Sequence, residues 1–156
     1  MIIYQLINRA YCSKYCHRQL FFTMTPQRFK EIRKELGLTQ VELAKKLGLA
    51  TNGNVTIRRI ETEKANPSGL ICKALEFFYL LSKTNQHMLI SVPSHNFKKI
   101  RQELGLTQKE LAKELGLSKN GDVTIRRIEN GKADPSRLIC KTFGSFYLLK
   151  KFNIYK

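Results

Sequence analysis

Hydrophobic side chains recur every three or four positions along most of the chain, which is the spacing of amphipathic helices. In the first such segment Phe29, Ile32 and Leu36 share one side, and a helix is predicted from about Pro26 to Leu36. Gly37 follows directly, and glycine is favoured just beyond helix ends. The segment therefore predicts one short helix with a single buried side.

The next apolar segment begins with the sequence signature of a capping box. Thr39 and Glu42 have the spacing at which each side chain accepts a hydrogen bond from the other residue's backbone N–H. Apolar positions continue to Leu47, and Gly48 is again a typical helix end. A second helix is therefore predicted from about Thr39 to Leu47.

A polar stretch with an Asn-Gly pair follows and marks a tight turn. After this turn, Asn54 is predicted to cap a third helix with the sequence VTIRRIE, and Asp122 is predicted to cap a second occurrence of the same sequence. A fourth helix is predicted to begin at Asn66-Pro67, a cap residue followed by a proline. The side that this helix is expected to bury carries Leu70, Ile71, Ala74, Phe78 and Leu81.

The same four-helix pattern occurs twice. Residues 29–83 (copy one) and 97–151 (copy two) align without a gap at an offset of 68 positions, and 39 of the 55 aligned pairs are identical. Such self-similarity indicates two copies of one small fold. The chain is therefore expected to be all-α, with domains at 24–83 and 95–156, a linker at 84–94, and an N-terminal extension at 1–23 that is not part of the fold.

The third helix is the most informative element, because its sequence VTIRRIE is identical in both copies. At about 100° per residue, its isoleucines and its outer residues fall on opposite sides. In copy two the outer residues are Val123, Arg126 and Arg127. An arginine can donate two hydrogen bonds to a guanine edge, and a valine can lie against a thymine methyl group, so this side suits the DNA major groove. These seven residues alone leave open an ordinary amphipathic helix whose arginines are solvated.

The charge balance favours a polyanionic partner. The chain has 28 basic and 12 acidic side chains, a formal net charge of +16. Nucleic acid is the first expected partner, and an anionic membrane surface is the second. The sequence has no run of about 18 apolar residues and no cleavage site after its apolar start, so neither a membrane-spanning helix nor a signal peptide is predicted. A cytoplasmic protein with free thiols is expected.

Candidate ligands for a metal or a catalytic centre are sparse. Cys12, Cys16 and His17 are close in sequence, but a zinc site needs four ligands, and no second pair follows. The histidines lie outside both copies and show no spacing typical of a catalytic triad. The sequence therefore predicts no metal, no cofactor and no enzymatic activity. Cys72 and Cys140, at matching positions of the fourth helices, are interpreted as small core residues.

The segment LGLTQKELAKELGLS, followed by VTIRRIENGKADPS, resembles the Cro and phage-repressor type of helix-turn-helix, the XRE family. The resemblance covers both copies. It implies two tandem lambda-repressor-like helix-turn-helix domains of about four helices each, in which the third helix enters the major groove. One departure is a turn about three residues longer than usual before the third helix, which is expected to shift the angle at which that helix meets DNA.

The resemblance also implies roles for individual residues. Arg33 with Glu61, and Arg101 with Glu129, would form an inward, structural ion pair between the first and third helices. DNA would be contacted at the start of the second helix, along the third helix and in the loop after it. The residues implied in these contacts are Gln40, Val55, Thr56, Arg58, Arg59 and Lys64 in copy one, and Gln108, Val123, Thr124, Arg126, Arg127 and Lys132 in copy two.

These features predict a sequence-specific regulator of transcription that binds double-stranded DNA. It is expected to act in the cytoplasm, at the nucleoid, and to bind no membrane. Because its reading residues are duplicated, it is expected to read two similar half-sites, as a homodimer or as an intramolecular pseudo-dimer, in inverted or direct orientation. The alternative is an antitoxin-like interaction module that also binds its own promoter, with residues 1–23 as the segment for its protein partner. RNA is less favoured, because the aromatic stacking motifs of the common RNA-binding modules are absent.

Overall fold

The computed structural model describes residues 24–84 and 90–155. The predicted extension at 1–23, with its cysteines and histidine, lies outside these ranges, as do residues 85–89 of the linker. Within them the chain forms eight α-helices, one 3₁₀ helix at Ser94–Asn96 and no strand, which confirms the all-α prediction. The α-helices are α1 (Pro26–Glu35), α2 (Gln40–Leu47), α3 (Gly53–Glu61) and α4 (Gly69–Lys83) in the first domain, and α5 (Phe97–Glu103), α6 (Gln108–Glu114), α7 (Gly121–Glu129) and α8 (Arg137–Lys151) in the second.

The second helix of each copy starts as the sequence predicts. Thr39 Oγ1 accepts from the Glu42 backbone N–H at 3.2 Å, and Glu42 Oε2 accepts from the Thr39 backbone N–H at 2.8 Å. Thr107 and Glu110 make the same capping box in α6. Two donors that a helix start would otherwise leave unsatisfied are thereby paired locally.

The third helix of each copy begins earlier than predicted. Helix α3 starts at Gly53, and its N-cap residue Asn52 makes no side-chain capping bond. The prediction that Asn54 and Asp122 cap these helices is therefore wrong, since both lie inside the first turn. The glycine is required by packing, because a Cβ at Gly53 would lie 2.5 Å from Leu49 Cβ.

The fourth helix begins later than predicted. Helix α4 starts at Gly69, and the hydroxyl of Ser68 accepts from the Ile71 backbone N–H at 3.3 Å. Ser136 caps α8 in the same way. The prediction of a cap at Asn66-Pro67 is therefore wrong, because the serine that follows the proline supplies the capping oxygen.

Each copy has a hydrophobic core built from the predicted apolar sides of its helices. The second and third helices contribute fully buried leucines and isoleucines, and the first helix contributes a fully buried phenylalanine. In copy one these residues are Phe29, Leu43, Leu47, Ile57 and Ile60, and in copy two they are Phe97, Leu111, Leu115, Ile125 and Ile128. This packing turns the other side of each third helix outward.

The last helices of the two copies, α4 and α8, make the most extensive helix–helix contact among the described residues. Phe77 and Leu81 of α4 are buried in the core of copy two, and Leu138 of α8 is buried in the core of copy one. The rings of Phe77 and Phe146 have centroids 5.5 Å apart. A repeat of about 55 residues can bury only a small core by itself, and here each copy completes its core with side chains of the other.

The contacts between the copies are reciprocal. At the end of α2, a Cβ on Gly48 would lie 3.2 Å from the backbone carbonyl carbon of Arg137, at the start of α8. At the end of α6, a Cβ on Gly116 would lie 2.4 Å from the carbonyl oxygen of Gly69, at the start of α4. Gly48 corresponds to Gly116 in the repeat, and Gly69 corresponds to Arg137. Such an exchange of roles is characteristic of twofold interfaces, in which the same patch serves on both sides.

The two halves of this interface differ in detail. Copy one has a buried Glu76 where copy two has Gly144. A Cβ on Gly144 would lie 1.8 Å from the Ile90 carbonyl oxygen, and the Val92 backbone N–H donates to the Cys140 carbonyl at 3.1 Å. The end of the linker therefore lies against α8 at a position where only glycine leaves room for it.

Tyr155, which follows α8, joins the same interface. Its ring lies 5.4 Å from that of Phe77 and 5.8 Å from that of Phe146, measured between centroids. Its hydroxyl donates to Glu114 Oε2 at 3.2 Å. Burial, together with the charges of Glu114 and Glu76, raises the pKa of Tyr155 well above its usual value. Tyr155 therefore links α4, α6 and α8 as a neutral phenol.

Candidate nucleic-acid interface

Helix α7 buries one side in the core of copy two and exposes the other. Ile125 and Ile128 are buried, whereas Arg126 and Arg127 are exposed. Val123, on the outer side, keeps 37% of its surface exposed although it is apolar. The helix therefore offers arginine donors and an apolar group on the same exposed side, the combination that base edges in the major groove can use.

Helix α3 presents the same surface in copy one. Its isoleucines are buried in the matching way, and Val55 keeps 39% of its surface exposed. The structure thus brings together, on one exposed side of each third helix, every residue that the sequence implied there. These exposed residues are Val55, Thr56, Arg58 and Arg59 in α3, and Val123, Thr124, Arg126 and Arg127 in α7.

An ion pair joins the first helix of each copy to the third. Arg33 Nε and Nη2 donate to the two carboxylate oxygens of Glu61 at 2.5 and 2.9 Å, and Nη1 donates to the Leu38 carbonyl at 2.8 Å. Arg101 and Glu129 form the same two-pronged pair in copy two. The guanidinium and the carboxylate are both planar, and two hydrogen bonds join them. The pair therefore fixes their relative orientation as well as their distance.

Burial and hydrogen bonding act in opposite directions on these carboxylates. Removal from water works to raise the pKa of Glu61, but hydrogen bonds from Arg33 and Gln40 lower it and outweigh the burial. The same balance holds the pKa of Glu129 below its ordinary value. Both carboxylates are therefore ionised at neutral pH, and each arginine keeps a charged partner.

The glutamines that open the second helices belong to this network. Gln40 Nε2 donates to Glu61 Oε2 at 2.9 Å, and Gln108 Nε2 donates to Glu129 Oε2 at 2.8 Å. Each bond places the start of the second helix beside the end of the third helix. The structure therefore gives both glutamines a structural role, and their contact with DNA stays a prediction.

Lys64 and Lys132 lie in the loop after the third helix and are exposed. The backbone N–H of each lysine donates to the carbonyl of the second arginine of that helix at 2.8 Å. The residue before each lysine has a left-handed backbone, with φ of 60° at Glu63 and 66° at Gly131. The loop therefore turns back tightly and keeps each lysine within one helical turn of the exposed arginines.

The longer turn before the third helix is ordered in both copies. The Gly53 backbone N–H donates to the Ala50 carbonyl at 2.7 Å, and the Gly121 N–H donates to the Ser118 carbonyl at 2.8 Å. The additional residues thus form a tight turn that leads directly into the helix. A change in the angle at which the helix meets DNA stays a prediction.

Two features of the folded structure could not be predicted from local sequence patterns. The bond between Gln40 and Glu61 joins residues 21 positions apart, and no local pattern announces it. The close approach of Gly116 to Gly69 joins different copies. Its one sequence signal is that Gly69 replaces an arginine in an otherwise well-matched stretch, at a helix start where glycine is not needed for a turn.

Two segments of the chain, residues 29–76 and 97–142, match the family model of the helix-turn-helix, and together they cover more than half of the chain. The chain belongs to the XRE-type helix-turn-helix family. The double match confirms the resemblance of both copies and their tandem arrangement. The exposed surfaces of α3 and α7 therefore belong to two helix-turn-helix domains of a DNA-binding family.

Two curated relatives match over a short stretch. The type II methyltransferase M1.ScrFI of Lactococcus lactis subsp. cremoris is 61% identical over 41 residues, which is 26% of this chain and 10% of the relative. The type II methyltransferase M.SsoII of Shigella sonnei is 56% identical over 39 residues, which is 25% of this chain and 10% of the relative. The match thus spans about a tenth of the length of each methyltransferase. No solved structure matches the chain.

Across residues 24–84 and 90–155, no helix has the length and apolar character needed to cross a bilayer. In those ranges, no three histidine, cysteine, aspartate or glutamate side chains lie together as a metal site would require. Cys72 and Cys140 are half-buried free thiols, and burial raises the pKa of both.

Proposed function

We propose that this protein is a sequence-specific regulator of transcription that binds double-stranded DNA and reads two similar half-sites. One observation carries the proposal. The exposed sides of α3 and α7 offer identical side chains, and the two domains that hold these helices pack together in one chain. Identical readers prefer the same bases, because the donors and apolar groups that meet the base edges are the same.

The reciprocal contacts of Gly48 with Arg137, and of Gly116 with Gly69, support an intramolecular pseudo-dimer with a twofold arrangement. In such an arrangement the two recognition helices meet DNA in opposite directions, so the half-sites are inverted repeats about one helical turn, roughly 34 Å, apart. One chain then provides both readers, and the first bound domain raises the effective concentration of the second.

We further propose that the chain acts by binding alone, without catalysis, metal or cofactor, in the cytoplasm at the nucleoid. The curated relatives are methyltransferases, but the match covers 10% of each. A match of that extent supports a shared helix-turn-helix segment and gives no support to methyl transfer by this chain.

The test is selection of bound duplexes from a random DNA pool, followed by footprinting of the winning sequence with protein of known oligomeric state. We expect two inverted copies of one core sequence, protected together by a single chain. A variant with Arg59→Ala and Arg127→Ala should select no such sequence. Enrichment of direct repeats would reject the twofold arrangement, and the absence of any enriched sequence would reject sequence-specific binding.

Salt dependence tests the same interface in a second way. Lysines and arginines displace counterions from DNA phosphates, so affinity should fall steeply between about 50 and 200 mM salt. A flat response would contradict an interface with phosphates and would favour a protein partner.

A further inference from the structure

The two copies share their reading residues but differ in the charges around them. The differences lie at the start of the second helix, in the turn before the third helix and in the loop after it. Three exchanges make copy two more basic, and two make it more acidic. In order of copy one and copy two, these exchanges are Val41 and Lys109, Thr51 and Lys119, Glu63 and Gly131, and, in the opposite sense, Asn54 and Asp122, and Asn66 and Asp134.

At the start of the second helix, copy two has a lysine and copy one has an apolar residue. Lys109 is exposed and follows Gln108, whose side chain is bonded to Glu129 at the end of α7. Lys109 therefore projects from a helix start that lies beside the end of the recognition helix. The matching Val41 is 54% exposed and carries no charge.

In the loop after the third helix, copy one places a carboxylate beside the lysine that is expected to contact phosphate. Glu63 and Gly131 have nearly the same left-handed backbone, with φ of 60° and 66°. Glycine adopts this conformation without cost, whereas a residue with a Cβ is disfavoured there. Glu63 is exposed and directly precedes Lys64, so it offsets that lysine's positive charge.

In the turn before the third helix, the two exchanges cancel in formal charge. The exposed Lys119 adds a charge in copy two, and Asp122 in the first turn of α7 removes one. Around the recognition helix, counting the paired arginines and the loop lysine with the exchanged positions, copy one has three basic and one acidic side chains. Copy two has five basic and two acidic side chains. The surface of copy two is thus more positive by one charge and has two more lysines, with the base-reading residues unchanged.

We propose that copy two anchors the chain on DNA and that copy one is the weaker reader of the same base sequence. The inference rests on the proposed DNA-binding function. Base preference comes from the shared valine and arginines, whereas affinity for phosphate follows the number of neutralising cations. Copy two therefore occupies a half-site first, and copy one binds the second half-site as a tethered domain.

The experiment compares two full-length variants, each with one reader disabled, on a duplex that contains a single half-site. The variant with Arg58→Ala and Arg59→Ala reads through copy two, and the variant with Arg126→Ala and Arg127→Ala reads through copy one. We expect the first to bind on the order of tenfold more tightly near 0.1 M salt. Its plot of log affinity against log salt should be steeper by about 1.8, the value for two additional phosphate contacts.

Reciprocal substitutions in the two reader variants test whether the charge exchanges cause the difference in affinity. Glu63→Gly or Val41→Lys should strengthen binding through copy one, and Gly131→Glu or Lys109→Val should weaken binding through copy two. Glu31→Gln removes the same charge as Glu63→Gly but lies on α1, where it is paired with Arg28, and should change affinity less. Equal affinities and salt slopes of the two reader variants would overturn the proposal. If the unsubstituted chain bound the half-site duplex no more tightly than a duplex of unrelated sequence, the proposed function itself would be overturned.

Discussion

Gly116 approaches Gly69 so closely that a Cβ on Gly116 would lie 2.4 Å from the Gly69 carbonyl oxygen. The two glycines belong to different copies of the repeat, one at the end of α6 and the other at the start of α4. Their contact therefore joins the helix-turn-helix of copy two to α4, the last helix of copy one. Any side chain at position 116 has to push the two domains apart.

The first prediction is that Gly116→Ala destabilises the protein more than Gly105→Ala. The two glycines have φ of +68° and +67°, and nothing lies within 4 Å of a Cβ at Gly105. Gly105→Ala should therefore lose about 1–2 kcal/mol, from the left-handed backbone alone. Gly116→Ala adds the clash between domains, which costs about 1–3 kcal/mol more, as overpacking does. Urea denaturation of both variants measures the difference, and equal losses would show that the domains do not meet at these glycines in solution.

The second prediction is that Glu129→Gln lowers stability without DNA. The Glu129 side chain is 1% exposed, and it is the partner of Arg101, which is 11% exposed. Removing the charge leaves a largely buried arginine without its anion, a change that costs about 3–5 kcal/mol in buried pairs. Thermal melting of the free protein is the measurement. Glu103→Gln, at an exposed position of α5, is the control and should melt like the unsubstituted chain.

The third prediction concerns pH. The folded-state pKa values of Glu61 and Glu129 lie below the ordinary value, because hydrogen bonds from arginine and glutamine outweigh burial. The unfolded chain therefore binds more protons than the folded chain as the pH falls through and below about 4.3. The stability that these two carboxylates contribute is fully present above that pH and declines as the pH falls below it. A variant with Glu61→Gln and Glu129→Gln should show a shallower decline in the free energy of unfolding between about pH 5 and 2, and an unchanged slope would contradict the shifted pKa values.

The fourth prediction separates base reading from phosphate contact. Arg127→Ala should relax sequence preference, because the exposed arginine of α7 is expected to meet base edges. A lost bidentate contact is worth about 1–3 kcal/mol of discrimination. Lys132→Ala, in the loop, should weaken binding to all sequences alike and reduce the salt slope by about 1. The measurement is the affinity of each protein variant for the selected DNA sequence and for DNA with single-base changes. Unchanged specificity of the Arg127 variant would show that α7 does not read the bases.

Much of the local structure follows from the sequence alone, because its causes lie within a few residues. The apolar spacing of Phe29 and Ile32 specifies a buried helix side, and Thr39 with Glu42 supplies both halves of a capping box. The duplicated VTIRRIE segment already separates its buried isoleucines from its exposed arginines. Local predictions were wrong at Asn54 and at Asn66-Pro67, where another nearby residue begins or caps the helix.

The tertiary structure alone decided how the copies combine. Gly53 opens α3 because the side chain of Leu49 leaves no room for a Cβ. Leu81 of copy one is buried in the core of copy two, although its position on the predicted buried side of α4 is equally compatible with burial in its own copy. Near-identical copies have nearly the same apolar pattern, so the pattern cannot specify which copy a side chain enters. That choice depends on contacts between distant segments, such as Gly116 with Gly69, and these contacts exist only once the chain is folded.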